Sequence, residues 1–248
     1  MKTVLITGAT SGIGKAIAEI LVSRNYKLIL CGRRTERLEA FKNDFPNAKI
    51  TTLSFDVRDK EAVAKQIESL PEEFKSIDIL INNAGNAHGL DFIQDGSIED
   101  WDNMIDINVK GLLYVSKAII PGMVDRKSGH IVNIGSIAGK ETYPKGNVYC
   151  ASKYAVDAIS EGMRKDLNPH NIKVSQICPG LVDTEFSNVR FKGDQEKAEK
   201  VYEGMTPLSA KDIAEIIEFI ISRPAHVNIA DSIILPTAQA SSGIVNRN

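Results

Sequence analysis

An α/β domain built on a doubly wound parallel sheet is what this sequence predicts, and three observations carry the prediction. Short, nearly continuous apolar runs alternate with longer stretches of helical period, as repeated βαβ units do. The runs lack the in-and-out alternation of a half-exposed sheet, which suits strands covered by helices on both faces. A glycine-rich turn, TGATSGIG (7–14), follows the first run directly and opens into a helix. The expected architecture is a single-domain Rossmann-type fold over residues 1–248, with about seven parallel strands and helices on both faces.

Composition agrees with one such domain. The 248 residues are 43% hydrophobic and 25% charged with a formal net charge of -2, which gives a real core and no polyelectrolyte character. No nucleic-acid partner is expected. Glycines stand where a secretory signal needs about seven or more apolar residues, and no apolar run approaches the roughly 20 residues of a membrane span. The expected address is the cytoplasm. Cys31, Cys150 and Cys178 are odd in number and lack CxxC spacing, so reduced thiols are expected. His88, His130, His170 and His226 are scattered without a second ligand at helical or hairpin spacing, and no metal site is expected.

The elements follow in order. KTVLIT (2–7) reads as the first strand, and Gly8, Gly12 and Gly14 lead from it into the helix GKAIAEILVSR. Glycines there let the backbone turn tightly and approach a pyrophosphate, whose charge the helix N-terminus stabilises. Thr10, Ser11 and Ile13 share the turn. The second strand ends in KLILCGRR, where folds that bind NAD place an acidic residue for the ribose hydroxyls. Arg33 and Arg34 stand there instead, and guanidinium can bind a ribose phosphate that a carboxylate would repel. NADP(H) is therefore the expected cofactor, with Arg33 as the reader and Arg34 open to an alternative reading as an ordinary solvated residue at the start of the helix TERLEAF.

KITTLSF (49–55) is the third strand, and SFDV places Asp56 and Val57 beyond its end. IDILINNA (77–84) is the fourth, ending at Asn83, Ala84 and Gly85. Ligands of open parallel sheets bind outside these carboxyl ends, although an Asn-rich turn that merely closes a strand would look the same. Residues 97–124 read as one long helix with Ser97 as its N-cap. HIVNIG (130–135) ends at a further strand end, just before Ser136, and IKVSQIC (172–178) leads to Pro179, Gly180, Val182 and Thr184. The charged, glycine-bearing stretch 181–209 is expected to cover a site.

Of the six tyrosines, Tyr149 alone has a lysine four residues later, Lys153, and such residues share a helical face. An ammonium about 5 Å from a phenol, at an effective dielectric of about 20, favours phenolate by roughly 3 kcal/mol, or about two pKa units. That would bring Tyr149 toward the range of a useful acid or base. Tyr154 is expected to pack and Ser152 to be structural.

TGATSGIG, NNAG, Asn108 in DINVKG, Ser136, and Tyr149 with Lys153 together resemble the short-chain dehydrogenase/reductase family over nearly the whole chain. The resemblance implies a catalytic set of Asn108, Ser136, Tyr149 and Lys153. Tyr149 would be the general acid/base, Ser136 the group positioning the substrate oxygen, Lys153 the pKa modifier and ribose ligand, and Asn108 the holder of a relay water. Pro179, Gly180, Val182 and Thr184 resemble the family's segment at the nicotinamide carboxamide. TEFSNVRFKGD, KAEK and PAHVNI are further similar to the bacterial NADP-dependent 3-hydroxy acid dehydrogenases that act on serine, L-allo-threonine and malonic semialdehyde, typically tetramers, although PGLVDTEF is one residue shorter before Thr184.

A carboxylate-bearing substrate implies a cation, for which Arg190 is the candidate; the alternative is that it pairs with a surface acid or packs at a subunit interface. A reductase of a 3-oxoacyl thioester, sugar or steroid, and an NADPH-sensing protein on the same fold, are the competing readings. The 181–209 segment weighs against the first, and the catalytic set against the second.

Overall fold

The computed structural model describes all residues, 1–248. Its strands are β1 (Thr3–Thr7), β2 (Lys27–Gly32), β3 (Ile50–Ser54), β4 (Ile79–Asn82), β5 (Gly129–Ile134), β6 (Ile172–Pro179), the short pair β7 (Val182–Asp183) and β8 (Leu208–Ser209), and β9 (Asp231–Ile234). Seven of them form one sheet in the order β3-β2-β1-β4-β5-β6-β9, every pairing parallel. The doubly wound fold is as expected, and the seventh strand, DSII, is one the apolar runs did not single out. It is half exposed at the sheet edge, so its pattern lacks the continuous apolarity of the buried strands.

Each strand divides its side chains between two helical layers. Val4 and Ile6 of β1 and Leu28 and Leu30 of β2 meet α1 (Gly12–Ser23), α2 (Thr35–Asp44) and α9 (Ala210–Ile221) through Ile17, Leu21, Leu38, Ile213 and Ile217. On the other face, Leu5, Ile29, Leu80 and Ile131 meet α3 (Lys60–Glu68) and α5 (Leu112–Arg126) through Val63, Val115, Ile119 and Met123. Burial of each large aliphatic side chain stabilises the fold by about 1.5–3 kcal/mol. The strand order reverses between β1 and β4, and a ligand crevice is expected beyond the carboxyl ends at that point.

The expected helix 97–124 differs in a way that matters. Ser97 does cap α4 (Ile98–Ile105), accepting from the Asp100 N–H at 3.4 Å, but Asp106–Gly111 form a π-helical turn before α5. That wide turn holds Asn108, which is buried. Within the 29-residue run Ile98–Arg126 an 18-residue window reaches a mean hydropathy of 1.2, enough by length and composition alone to cross a membrane. This corrects the expectation that no such stretch exists; Val115, Ile119 and Met123 are committed to the sheet face just described, whereas Ile98 and Leu113 are exposed.

Residues 181–209 leave and return at one point, because Val182 pairs with Leu208 and Asp183 with Ser209. Between those ends lie two six-residue helices, α7 (Glu185–Arg190) and α8 (Gln195–Lys200). Of the two, α7 lines the crevice, through Glu185, Phe186 and Arg190. The remaining helix, α6 (Asn147–Leu167), brings Tyr149 and Lys153 to its floor.

Candidate active site

A cleft of about 730 Å³ opens at the carboxyl ends of the strands. Gly8, Thr10, Ser11, Gly12, Ile13, Arg33, Arg34, Asp56, Val57, Asn83, Ala84, Gly85, Ser136, Tyr149, Lys153, Pro179, Gly180, Val182, Thr184 and Arg190 all line it. Of the residues singled out from the sequence, Gly14 and Asn108 do not. Both act from behind the wall.

The glycine turn shows why. Gly8 and Gly12 have φ of +67° and +50°, where L side chains are strained. Gly14 has an ordinary φ, but a Cβ there would lie 2.5 Å from Asn83 Nδ2 and against the Gly8 carbonyl. Asn83 in turn donates through Nδ2 to the carbonyls of Thr7 and Gly8 at 2.9 and 3.2 Å. The Thr7 hydroxyl accepts from the N–H groups of Asn83 and Ala84, both at 3.0 Å. The end of β4 thus fastens the turn after β1 through part-buried hydrogen bonds.

Asn108 braces the opposite wall. Its Oδ1 accepts from the Asn86 N–H at 2.9 Å, and its Nδ2 donates to the Asn86 carbonyl at 2.8 Å and to Ser152 Oγ at 3.0 Å. Ser152 donates to the Tyr149 carbonyl at 2.7 Å, which makes it structural as expected. The Asn108 amide is engaged at both ends by protein. It sets the position of α6 against the loop after β4.

Lys153 and Tyr149 lie on one face of α6, with Lys153 Nζ 5.9 Å from the Tyr149 ring centroid. Nζ donates to the Ile134 carbonyl at 3.0 Å, and burial pushes its ammonium down to about 8. Burial likewise pushes the Tyr149 phenol above its ordinary 10, Tyr143 adding to the rise and the Ser136 hydroxyl and Arg190 pulling against it. The lowered phenol pKa argued from the sequence is therefore reversed in the protein alone. Withdrawal from water penalises both ions, a cost the pairwise attraction left out. Tyr149 is neutral at pH 7 and suited to give a proton.

Ser136 Oγ accepts from the Ala138 N–H at 3.1 Å, which turns its own O–H to other partners. Tyr154 is 41% exposed, a correction to the expectation that it packs. It lies off the cleft. Cys31, Cys150 and Cys178 are buried free thiols.

At the adenosine end, Arg33 is 63% exposed with its nearest carboxylate, Asp56, at 3.7 Å. Arg34 is not an ordinary solvated residue: it donates to Thr10 and Ser11 of the glycine turn and pairs with Glu185 at 2.9 Å. At the other end, Arg190 Nη2 donates to the Tyr143 hydroxyl at 2.9 Å and Nε to the Gly89 carbonyl at 3.1 Å. The alternative of a surface acid as its partner is not what the structure has.

Among the cleft residues that the sequence does not single out, four stand beside the groups described. Tyr143 and Phe186 flank Tyr149, the Phe186 ring 5.7 Å from it. Gln239, buried near the C-terminus, accepts from the Leu181 N–H at 2.8 Å and lies where a Cβ on Gly180 would go. Glu185 is the fourth. None has a sequence signal, since each is defined by a partner distant along the chain.

Comparison with known proteins points one way. Residues 2–195 match the short chain dehydrogenase family. The NADP-dependent 3-hydroxy acid dehydrogenase of Salmonella typhi is 47% identical over 242 residues, 97% of each chain. The enzyme so named in Schizosaccharomyces pombe is 43% identical over 250 residues, 99% of this chain and 96% of its own. A serine dehydrogenase in its closed form with NADP+ superposes with a TM-score of 0.95 at 45% identity, covering 98% of both chains.

Proposed function

The chain belongs to the short chain dehydrogenase family, and from that membership we propose that it is an NADP-dependent oxidoreductase of small 3-hydroxy acids, in the class of serine, allo-threonine and 3-hydroxypropionate. One observation carries the reading: a single cleft joins a glycine cradle and an exposed arginine at one end to Tyr149, Lys153, Ser136 and Arg190 at the other.

The residues present fit NADP. A Cβ at Gly8 or Gly14 would crowd Asn83, and one at Gly12 would come within 3.3 Å of Thr184, so the cradle stays open to a pyrophosphate because these positions are glycine. Arg33 would take the ribose phosphate, Asp56 and Val57 would flank the base, and Asn83, Ala84 and Gly85 would line the ribose side. Lys153 would hold the nicotinamide ribose, with Pro179, Gly180, Val182 and Thr184 along the carboxamide. The bound cofactor gives or takes the hydride.

The chain's own groups handle the proton and the orientation. Ser136 donates to the substrate oxygen and holds it beside Tyr149. In reduction the Tyr149 hydroxyl gives its proton to that oxygen, and in oxidation it takes one. Lys153 keeps a positive charge on the same helical face and Asn108 fixes α6 in place. Arg190, with its guanidinium 5.6 Å from the Tyr149 ring centroid, binds the substrate carboxylate.

A homotetramer in the cytoplasm completes the proposal. Leu113, Tyr154, Phe219 and Ile233 expose apolar surface that further copies would cover. A nicotinamide absorbance screen of 3-hydroxy acids, amino acids and simple alcohols with both cofactors tests the function. Turnover of 3-hydroxy acids with NADP+ is expected, and turnover confined to thioesters or sugars would replace the substrate class. Arg190→Ala should cost far more on a hydroxy acid than on an uncharged alcohol. Equal losses would remove the carboxylate role.

A further inference from the structure

The two arginines that follow β2 have opposite surroundings. Arg33 projects into solvent beside the cleft, whereas the Arg34 guanidinium is engaged on several sides. Its Nε and Nη2 donate to Thr10 Oγ1 at 3.1 and 2.9 Å, Nη2 donates to Ser11 Oγ at 2.7 Å, and Nη1 donates to Glu185 Oε2 at 2.9 Å. Arg37, on α2, donates to the other oxygen of that carboxylate at 2.7 Å. Arg34 and Glu185 are 151 positions apart, so this contact ties the glycine turn to the first residue of α7.

The other side chains of α7 reach the substrate end. Phe186 lies against Tyr149, Ser187 shares a hydrogen bond of 2.7 Å with the Tyr202 hydroxyl, and Arg190 holds Tyr143 and Gly89. A six-residue helix rises about 9 Å and moves as one body, so a shift at its first residue is carried to its last. Glu185 is therefore placed to set where Phe186 and Arg190 stand.

We propose that Arg34 and Glu185 form a latch that positions the covering helix α7 over the substrate end of the cleft, which makes Arg34 a positioning residue and leaves Arg33 to read the ribose phosphate. Two adjacent arginines of the same type then divide the work. Arg33 discriminates between cofactors, and Arg34 closes the cover. The kinetic arm of the test rests on the hydroxy acid function proposed above; the structural arm does not.

The test compares Arg33→Ala, Arg34→Ala, Arg34→Lys and Glu185→Gln in the full chain. Hydrogen exchange of residues 185–192, measured without substrate or cofactor, should quicken in Arg34→Ala and Glu185→Gln, recover in part in Arg34→Lys, and stay unchanged in Arg33→Ala. With substrate, KM for the hydroxy acid should rise about three- to fivefold in Glu185→Gln, the scale of one partly exposed charge pair, while the NADP to NAD preference holds. In 1 M salt the wild type should approach the variants, because such a pair is screened.

If Arg34→Ala lowers the NADP preference as far as Arg33→Ala does and leaves exchange of α7 unchanged, Arg34 is a second phosphate reader and the latch is wrong. Glu185→Gln changes a partly exposed side chain and remains informative should Arg34→Ala fold poorly; normal exchange in that variant also overturns the latch. A wild type that turns over no hydroxy acid would refute the function, and exchange alone would then decide the latch.

Discussion

The floor of the cleft and its cover meet the same ligand but are held by different forces. The floor consists of the glycine turn, Ser136, Tyr149 and Lys153, and it is fixed by buried hydrogen bonds from Asn108 and Ser152, by part-buried ones from Asn83 and Thr7, and by positions where a Cβ does not fit. The cover, residues 181–209, is held by one two-residue strand pair, by the hydrogen bonds of Arg190 to Tyr143 and Gly89, and by partly exposed ion pairs, among them Arg34 with Glu185 and Lys192 with Asp100. Buried networks are costly to break, whereas exposed pairs are individually weak and screened by salt. The chemistry is thus built on the rigid part, and access and substrate choice on the adjustable one.

Substitutions should separate the two regions by size of effect. Tyr149→Phe removes the proton donor from the floor while leaving the cofactor contacts, so kcat should fall by about 10²- to 10⁴-fold with NADPH affinity retained. Tyr154→Phe, five residues along the same helix but off the cleft, should leave kcat unchanged. Comparable losses in the two variants would erase the distinction between the helix faces.

The buried side of the comparison also answers to acid. His130, at the start of β5, bonds through Nε2 to Ser175 Oγ at 2.8 Å, and burial pushes its imidazole down to about 3. Because the unfolded chain binds that proton near 6.5 and the folded one does not, its contribution is present above pH 6.5 and is lost as pH falls toward 3. Denaturant titrations should show a slope of about 1.4 kcal/mol per pH unit from this one group. His130→Gln should flatten that part of the profile; an unchanged slope would assign it to other groups.

Arg33→Ala lies at the edge of the floor and removes charged hydrogen bonds of about 1.5–3 kcal/mol, so NADPH affinity should fall about ten- to a hundredfold with little change for NADH. Parallel losses would mean that the arginine does not read the phosphate. The smallest effect belongs to the cover. Lys192→Ala breaks the pair between this exposed lysine and the largely buried Asp100 carboxylate and should cost the least of these changes, shrinking at high salt. A large, salt-independent loss there would show that the cover is built like the floor.

The same contrast explains what could be read from the sequence. The glycine turn, the strand ends and the Tyr149–Lys153 pair are local patterns, since backbone geometry and a four-residue spacing leave marks within a few positions. The π turn at Asp106–Gly111 leaves none, because it is decided by Asn108 finding Asn86 across the cleft wall. Glu185, Tyr143 and Gln239 were equally silent, their partners lying far away along the chain. The Tyr149 phenol shifts opposite to the sequence expectation for a related reason, since the charge partner is visible in the sequence but the depth of burial is not.

Hydride transfer from the hydroxyl-bearing carbon of a 3-hydroxy acid to the nicotinamide is the central claim, and isotope transfer tests it most directly. With 3-deuterated 3-hydroxypropionate and NADP+, NMR of the reduced cofactor should show deuterium at the nicotinamide C4. Reduced cofactor without deuterium, or no reduction with any deuterated 3-hydroxy acid, would contradict it.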